Sequence, residues 1–177
     1  FVFDTYEDSN GNQQERILAY RINGDGEGEL VTMVVVRDDQ DQPLTIFTLN
    51  TVAVEYLGET IDTVSGLAII DEDPDALDNT IYAVEQNGAD SRLITIDVTT
   101  GVVNIIGALP DPDDADPDED DPVRGESLGG LTYDPNLINP FTGELGALIA
   151  TDTESDELVY VDFRDRPQTS SLFQIYV

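Results

Sequence analysis

Gly66-Leu67-Ala68-Ile69-Ile70-Asp71 opens a pattern that returns at Gly130-Leu131-Thr132-Tyr133-Asp134. After each comes a polar loop with Pro and Asn, then a second apolar run, Thr80-Ile81-Tyr82-Ala83-Val84 in one case and Ala147-Leu148-Ile149-Ala150-Thr151 in the other. Polar turns follow at 86–91 and 152–156. A third run comes next, where Arg92-Leu93-Ile94-Thr95-Ile96-Asp97 matches Glu157-Leu158-Val159-Tyr160-Val161-Asp162. Residues 101–109 and 170–177 complete the two copies. Each run is short, rich in Val, Ile, Leu, Thr and Tyr, and bounded by Gly, Pro, Asn or Asp, which is the signature of strands. No long window carries a helical stripe of period 3.6. Residues 75–78 offer a single helical turn at most.

Outward from this core, the first third of the chain fits the same frame more loosely. Arg16-Ile17-Leu18-Ala19-Tyr20 takes the first-strand place, 30–36 the second, 43–49 the third and 51–58 the fourth. The third strands then start at Leu44, Leu93 and Leu158. A self-similar period of about fifty residues signals a repeat architecture. The organisation read from this is an N-terminal strand and loop at 1–14, blade-like unit 1 at 15–60, unit 2 at 61–109, an acidic insert loop at 110–126, and unit 3 at 127–177. Thr99-Thr100-Gly101 and Asn87-Gly88 read as hairpin turns.

Three consecutive units of four short antiparallel strands form the pattern of β-propeller blades. The residues that carry it best lie in unit 2: Leu93, Ile96, Asp97, Thr100-Gly101 and Ile106-Gly107. In these the chain resembles the blade repeat of bacterial extracellular β-propeller repeat proteins, the YVTN, NHL and PQQ-like superfamily. Unit 3 departs from it, with Arg164-Asp165-Arg166-Pro167 in place of the Thr-Gly turn, and unit 1 lacks the opening Gly. The absence of Trp excludes WD40 blades and tryptophan-type PQQ docking. The expected fold is therefore all-β and propeller-like, with about three blades. Closed propellers have four to eight blades, so the expectation is a partial propeller or a segment of a larger ring with open sheet edges that recruit partners.

Composition narrows the function. The 177 residues carry 38 Asp+Glu against 7 Lys+Arg, a formal charge of −31. All seven cations are Arg, and the chain has no Lys, His, Cys or Trp. Without His or Cys there is no Ser-His-Asp triad, thiol nucleophile, zinc cage or redox pair. Without a basic patch no nucleic-acid partner is expected. The apolar share of 40%, about 48% once the 14 Gly are added, is that of a globular chain rather than a disordered one, and one core-forming domain, or a piece of a larger one, is expected from the length. No apolar run approaches the ~20 residues of a membrane span, so none is expected. The chain starts at Phe1 with its only Met at position 33, which reads as a processed or excised segment. A charge of −31 strains a compact state by self-repulsion, which salt or divalent cations relieve. That favours an extracellular or cell-surface setting; a generally acidic proteome is the competing reading.

The insert at 111–122 holds eight acidic residues in twelve, with Pro112, Pro117 and Pro122 keeping it extended. Hard cations take several carboxylate oxygens. A weak calcium site is therefore one reading, with Asp113, Asp116, Asp118 and Asp120 as ligands and Asp152 and Asp156 from the turn in unit 3. The other reading is a solvated acidic loop. In the propellers this chain resembles, such turns and the links between blades share one face, so the resemblance implies a face of dense negative potential. Residues 8–12 read as an Asn-Gly turn rather than a calcium loop. Residues 23–28 read as a turn, because Asp and Glu inside a phosphate cradle would repel its ligand. Carboxylate pairs that could cleave glycosides occur by chance in so acidic a chain and nominate no residues. Tyr82, Tyr133, Tyr160 and Phe173 read as core or cross-strand packing.

The function expected from these readings is a non-catalytic structural or interaction module of a larger surface protein or fibre. It has no catalytic residues and no cofactor beyond weakly held Ca, and its partners are other chains or copies of itself through open sheet edges. Two alternatives stand beside it. One is a calcium-dependent propeller hydrolase, as in lactonase-like relatives. The other is a filament subunit assembled by β-strand exchange at its termini.

Overall fold

A computed structural model describes residues 1–7, 11, 13–37, 40, 42–61, 63–70, 80–87, 90–109, 128–152, 157–161 and 169–174. Among them every regular element is a strand. There are fourteen: β1 (Val2–Glu7), β2 (Gln13–Ile22), β3 (Gly28–Arg37), β4 (Pro43–Ala53), β5 (Glu55–Tyr56), β6 (Glu59–Thr60), β7 (Val64–Ile70), β8 (Thr80–Asn87), β9 (Asp90–Ile96), β10 (Val103–Ala108), β11 (Leu128–Ile138), β12 (Leu145–Asp152), β13 (Glu157–Val161) and β14 (Thr169–Gln174). They form three four-stranded sheets in which sequence neighbours are spatial neighbours, β1-β2-β3-β4, β7-β8-β9-β10 and β11-β12-β13-β14, and a small β5-β6 hairpin. The first and third sheets are antiparallel meanders, with pairs such as Leu18↔Thr32, Leu30↔Val52 and Ile149↔Tyr160. The expectation of an all-β chain built from four-stranded sheets holds. Residues 75–78 and the Asn87-Gly88 turn lie wholly or partly outside the described residues.

The strands of the second and third sheets fall close to where the repeat places them, except that β11 runs on through a register shift after Asp134 to Ile138, where a polar loop was expected. The first sheet differs. Its first strand is β1, which pairs with β2 from Val2↔Leu18 to Glu7↔Gln13, so Arg16–Tyr20 lies inside the second strand. The stretches 43–49 and 51–58, expected as two strands, give one strand, β4, and the short β5. A bulge between Thr48 and Asn50 lets β4 follow β3 from Arg37↔Pro43 to Glu29↔Ala53. A bulge absorbs one unpaired residue without ending a strand, and here it does so where Asn50 looked like a turn.

The chain divides into two compact units. One comprises Phe1–Asp62, Ile69–Ile81 and Ile96–Val103, and the other Thr63–Ala68, Tyr82–Thr95 and Asn104–Val177. In the first, Leu18, Leu30 and Val54 have no exposed surface. Leu18, Leu30 and Thr32 lie on the face of sheet 1 that also carries Asp4 and Arg16, because cross-strand partners point the same way. In the second, Val84, Leu93, Ile94, Leu148 and Val159 are fully buried. Leu93 and Ile94 are consecutive, so strand β9 is covered on both faces there. A strand buried on both sides reads as consecutive apolar residues rather than an alternation, as Leu93-Ile94 do.

Two glycines sit where no side chain fits. Gly101, at φ +74°, ends the turn from β9 to β10, and a Cβ there would lie 1.9 Å from the Ala53 carbonyl oxygen. Its own carbonyl accepts the Glu55 N–H at 3.1 Å, so the turn is seated on the end of β4. Gly66 lets β7 approach β11: a Cβ there would lie 2.4 Å from the Leu131 nitrogen.

Candidate functional site

Of the six carboxylates proposed as cation ligands, Asp113, Asp116, Asp118, Asp120 and Asp156 lie outside the described residues. Asp152 is the last residue of β12. It is 2% exposed and sits opposite Glu157, 4% exposed, at the start of β13. Both are engaged by other groups. Among the described residues no group of three or more His, Cys, Asp or Glu is arranged to hold a metal ion.

The charged groups that the fold does organise are ion pairs, and sequence reading did not single them out. All four Arg of the described residues are committed to carboxylates. Arg16 Nε donates to Asp4 Oδ2 at 2.5 Å, directly across β1 and β2, and its guanidinium lies 4.9 Å from the Tyr6 ring centroid. The two side chains are 11% and 3% exposed, so this pair is embedded in the buried face of sheet 1. Arg92 holds Glu85 with two bonds, Nε to Oε2 at 2.9 Å and a terminal nitrogen to Oε1 at 2.8 Å. This fork geometry suits a partly buried carboxylate. Arg37–Glu15 and Arg21–Glu29 lie at the surface. Asp4 and Glu85, two of the buried carboxylates, each have an Arg placed on them.

Two turns organise carboxylates through hydrogen bonds instead. Asp97 Oδ1 accepts the Thr100 N–H at 2.7 Å, the Thr100 hydroxyl at 2.8 Å and the Thr99 N–H at 2.9 Å. These bonds, the Thr100 N–H foremost, hold its carboxyl below the ordinary range. Between β2 and β3, Asn23 Oδ1 accepts the Asp25 and Glu27 N–H groups, and Asn23 Nδ2 donates to Glu29. That bond, followed by the Arg21 contact, lowers Glu29 as well. Residues 23–28 therefore form a closed turn in which the Asn23, Asp25, Gly26 and Glu27 N–H groups are already used within the loop.

In the second unit a polar seam converges on the main chain of Leu128. Its carbonyl accepts the Ser65 hydroxyl at 2.6 Å and Gln86 Nε2 at 3.0 Å, and its N–H donates to Ser91 Oγ at 3.3 Å. Gln86 N–H in turn donates to the Thr63 carbonyl. The seam ties the start of β11 to strands β7, β8 and β9. Nothing in the sequence marks it, because Ser and Gln near strand ends read as ordinary turn residues. Tyr82, Tyr133 and Tyr160 are half-buried in strands, with Tyr160 opposite Ile149; the side chain of Phe173 lies outside the described set.

No family model, curated protein or solved structure matches the chain. No helix among the described residues is long and apolar enough to cross a membrane.

Proposed function

We propose that the chain is a non-catalytic structural or interaction module of an extracellular or cell-surface protein, its three sheets serving as propeller-like blades of a larger assembly. The observation that carries this reading is the threefold return of the same meander, each sheet with its four strands in chain order. Such units cannot bury both faces alone and gain stability by stacking. The placement of polar groups supports it further. The described Arg side chains, the Asp97 carboxyl and the Leu128 seam are spent on holding strands and turns together, which is what a scaffold requires. The excess of carboxylates supplies solubility and a negative field that gathers cations without fixed geometry.

Calorimetric titration of the whole chain with calcium, at matched ionic strength, tests the reading. Weak, salt-sensitive binding at many sites, with no turnover of lactones or phosphotriesters, is the expected result. One tight stoichiometric site accompanied by hydrolysis overturns it in favour of a metal-dependent enzyme.

A further inference from the structure

Strand β4 is an edge of the first sheet, with β3 on one side and no strand on the other among the described residues. Every residue from Thr45 to Thr51 is exposed, so both faces of this edge are open as well as its backbone groups. Ile46, Phe47 and Leu49 are 53%, 48% and 57% exposed. The edge is also neutral. From Gln42 to Val54 there is no charged residue, although Asp41 and Glu55 flank the stretch. With charged residues at 25% of the chain, a stretch of this length would carry about three. Proteins ordinarily guard an exposed edge with charges, Lys above all, because an unguarded strand templates pairing. A chain with carboxylates to spare places none here.

We propose that β4 is a self-association edge, where it pairs antiparallel with β4 of a second copy and joins two first sheets into one. This rests on the module reading above and names one of its partners. The neutrality of the edge selects the occupant. A cationic partner would find no carboxylate on the strand to pair with, whereas a second copy brings an equally neutral strand to the joint, and salt screens the repulsion between the rest of the two chains, each at −31. Two copies of this chain repel everywhere their carboxylates meet and are relieved of that only along neutral surface. A two-fold axis normal to the sheet makes the contact isologous, so each face of β4 continues into the same face of its partner. Thr, Ile and Phe are strong strand formers for such a joint. The bulge at Thr48–Asn50 divides the edge into two regular stretches, 45–48 and 50–53, and the exposed Ile46 and Phe47 lie in the first. A contact closed by a two-fold axis yields dimers rather than fibres.

Sedimentation velocity of the whole chain tests this across protein concentration and salt. Dimers are expected to strengthen as salt rises towards about 1 M, where the screening length falls to about 3 Å. Phe47→Glu sets like charges against each other across the joint and is expected to weaken association by roughly tenfold or more. Phe47→Lys alone is also expected to weaken it, and mixing the two variants is expected to restore a mixed dimer. Circular dichroism of each variant reports retention of the sheets; Ile46→Glu serves as the second probe if Phe47→Glu does not fold. A wild type that stays monomeric at high salt overturns the proposal, as does association that survives both Glu substitutions. Either result leaves the calcium and hydrolysis measurements, and the module reading they test, untouched.

Discussion

Replacing Gly101 with Ala probes the seat of the 97–101 turn on strand β4. Two costs add. At φ +74° an L-residue incurs about 1–2 kcal/mol of backbone strain. The new Cβ also meets the Ala53 carbonyl oxygen at 1.9 Å, far inside contact distance, and the obstacle is main chain rather than a flexible side chain. The turn must lift away, stretching the Glu55 N–H to Gly101 carbonyl bond, and a donor left without its partner costs about 1–3 kcal/mol. The expected destabilisation is about 2–5 kcal/mol. Gly58→Ala is the internal control, because Gly58 belongs to the same compact unit and has φ +84° but nothing within 4 Å of its Cβ position. It should lose only the strain, about 1–2 kcal/mol. Urea unfolding of both variants, followed by a probe in the first unit, gives the comparison. Equal midpoint shifts for the two variants would refute the close seating of the turn and with it the contact between its backbone and β4.

Two further predictions follow from the charged groups. Arg16→Met leaves the Asp4 carboxylate embedded without its cation, and a buried pair broken from one side costs about 3–5 kcal/mol; the double variant Asp4→Leu, Arg16→Met should recover much of that loss in urea unfolding, whereas equal losses in single and double variants would contradict a buried pair. Asp97, lowered in the folded state by the Thr100 and Thr99 bonds, lends stability that is fully present above its unfolded pKa and lost as pH falls through its lowered folded pKa. Thermal melts from neutral pH into the acid range below the usual carboxylate pKa should therefore fall less steeply for Asp97→Asn than for wild type, and parallel profiles would contradict the hydrogen-bonded turn.

Much of the fold was legible because strand runs and their boundaries are local. Residues 80–87, 90–96 and 145–152 carry β-branched and apolar side chains between turn residues, and the repeat fixed their order. The first sheet was harder to read for two physical reasons. Residues 2–7, Val-Phe-Asp-Thr-Tyr-Glu, carry no strict alternation, and only the pairing Asp4↔Arg16 and its neighbours makes them the first strand of a sheet. Residues 43–53 lack Gly and carry Asn50 in mid-run, and sequence does not announce that a bulge will carry the strand through. The organised charges were not legible either. Arg16 finds Asp4, and Arg92 finds Glu85, through tertiary placement, whereas the visible signal was the density of carboxylates at 111–122. Asp152 illustrates the gap: it read as a turn residue, yet it closes strand β12 and is buried opposite Glu157.

The central claim is that successive four-stranded meanders build this chain, and inter-strand nuclear Overhauser effects measure it most directly. The account predicts backbone contacts linking Asp4 with Arg16, Leu18 with Thr32, Leu30 with Val52, and Leu148 with Val161. Contacts that pair β2 or β12 with strands of another sheet, or helical connectivities through residues 43–53, would contradict it.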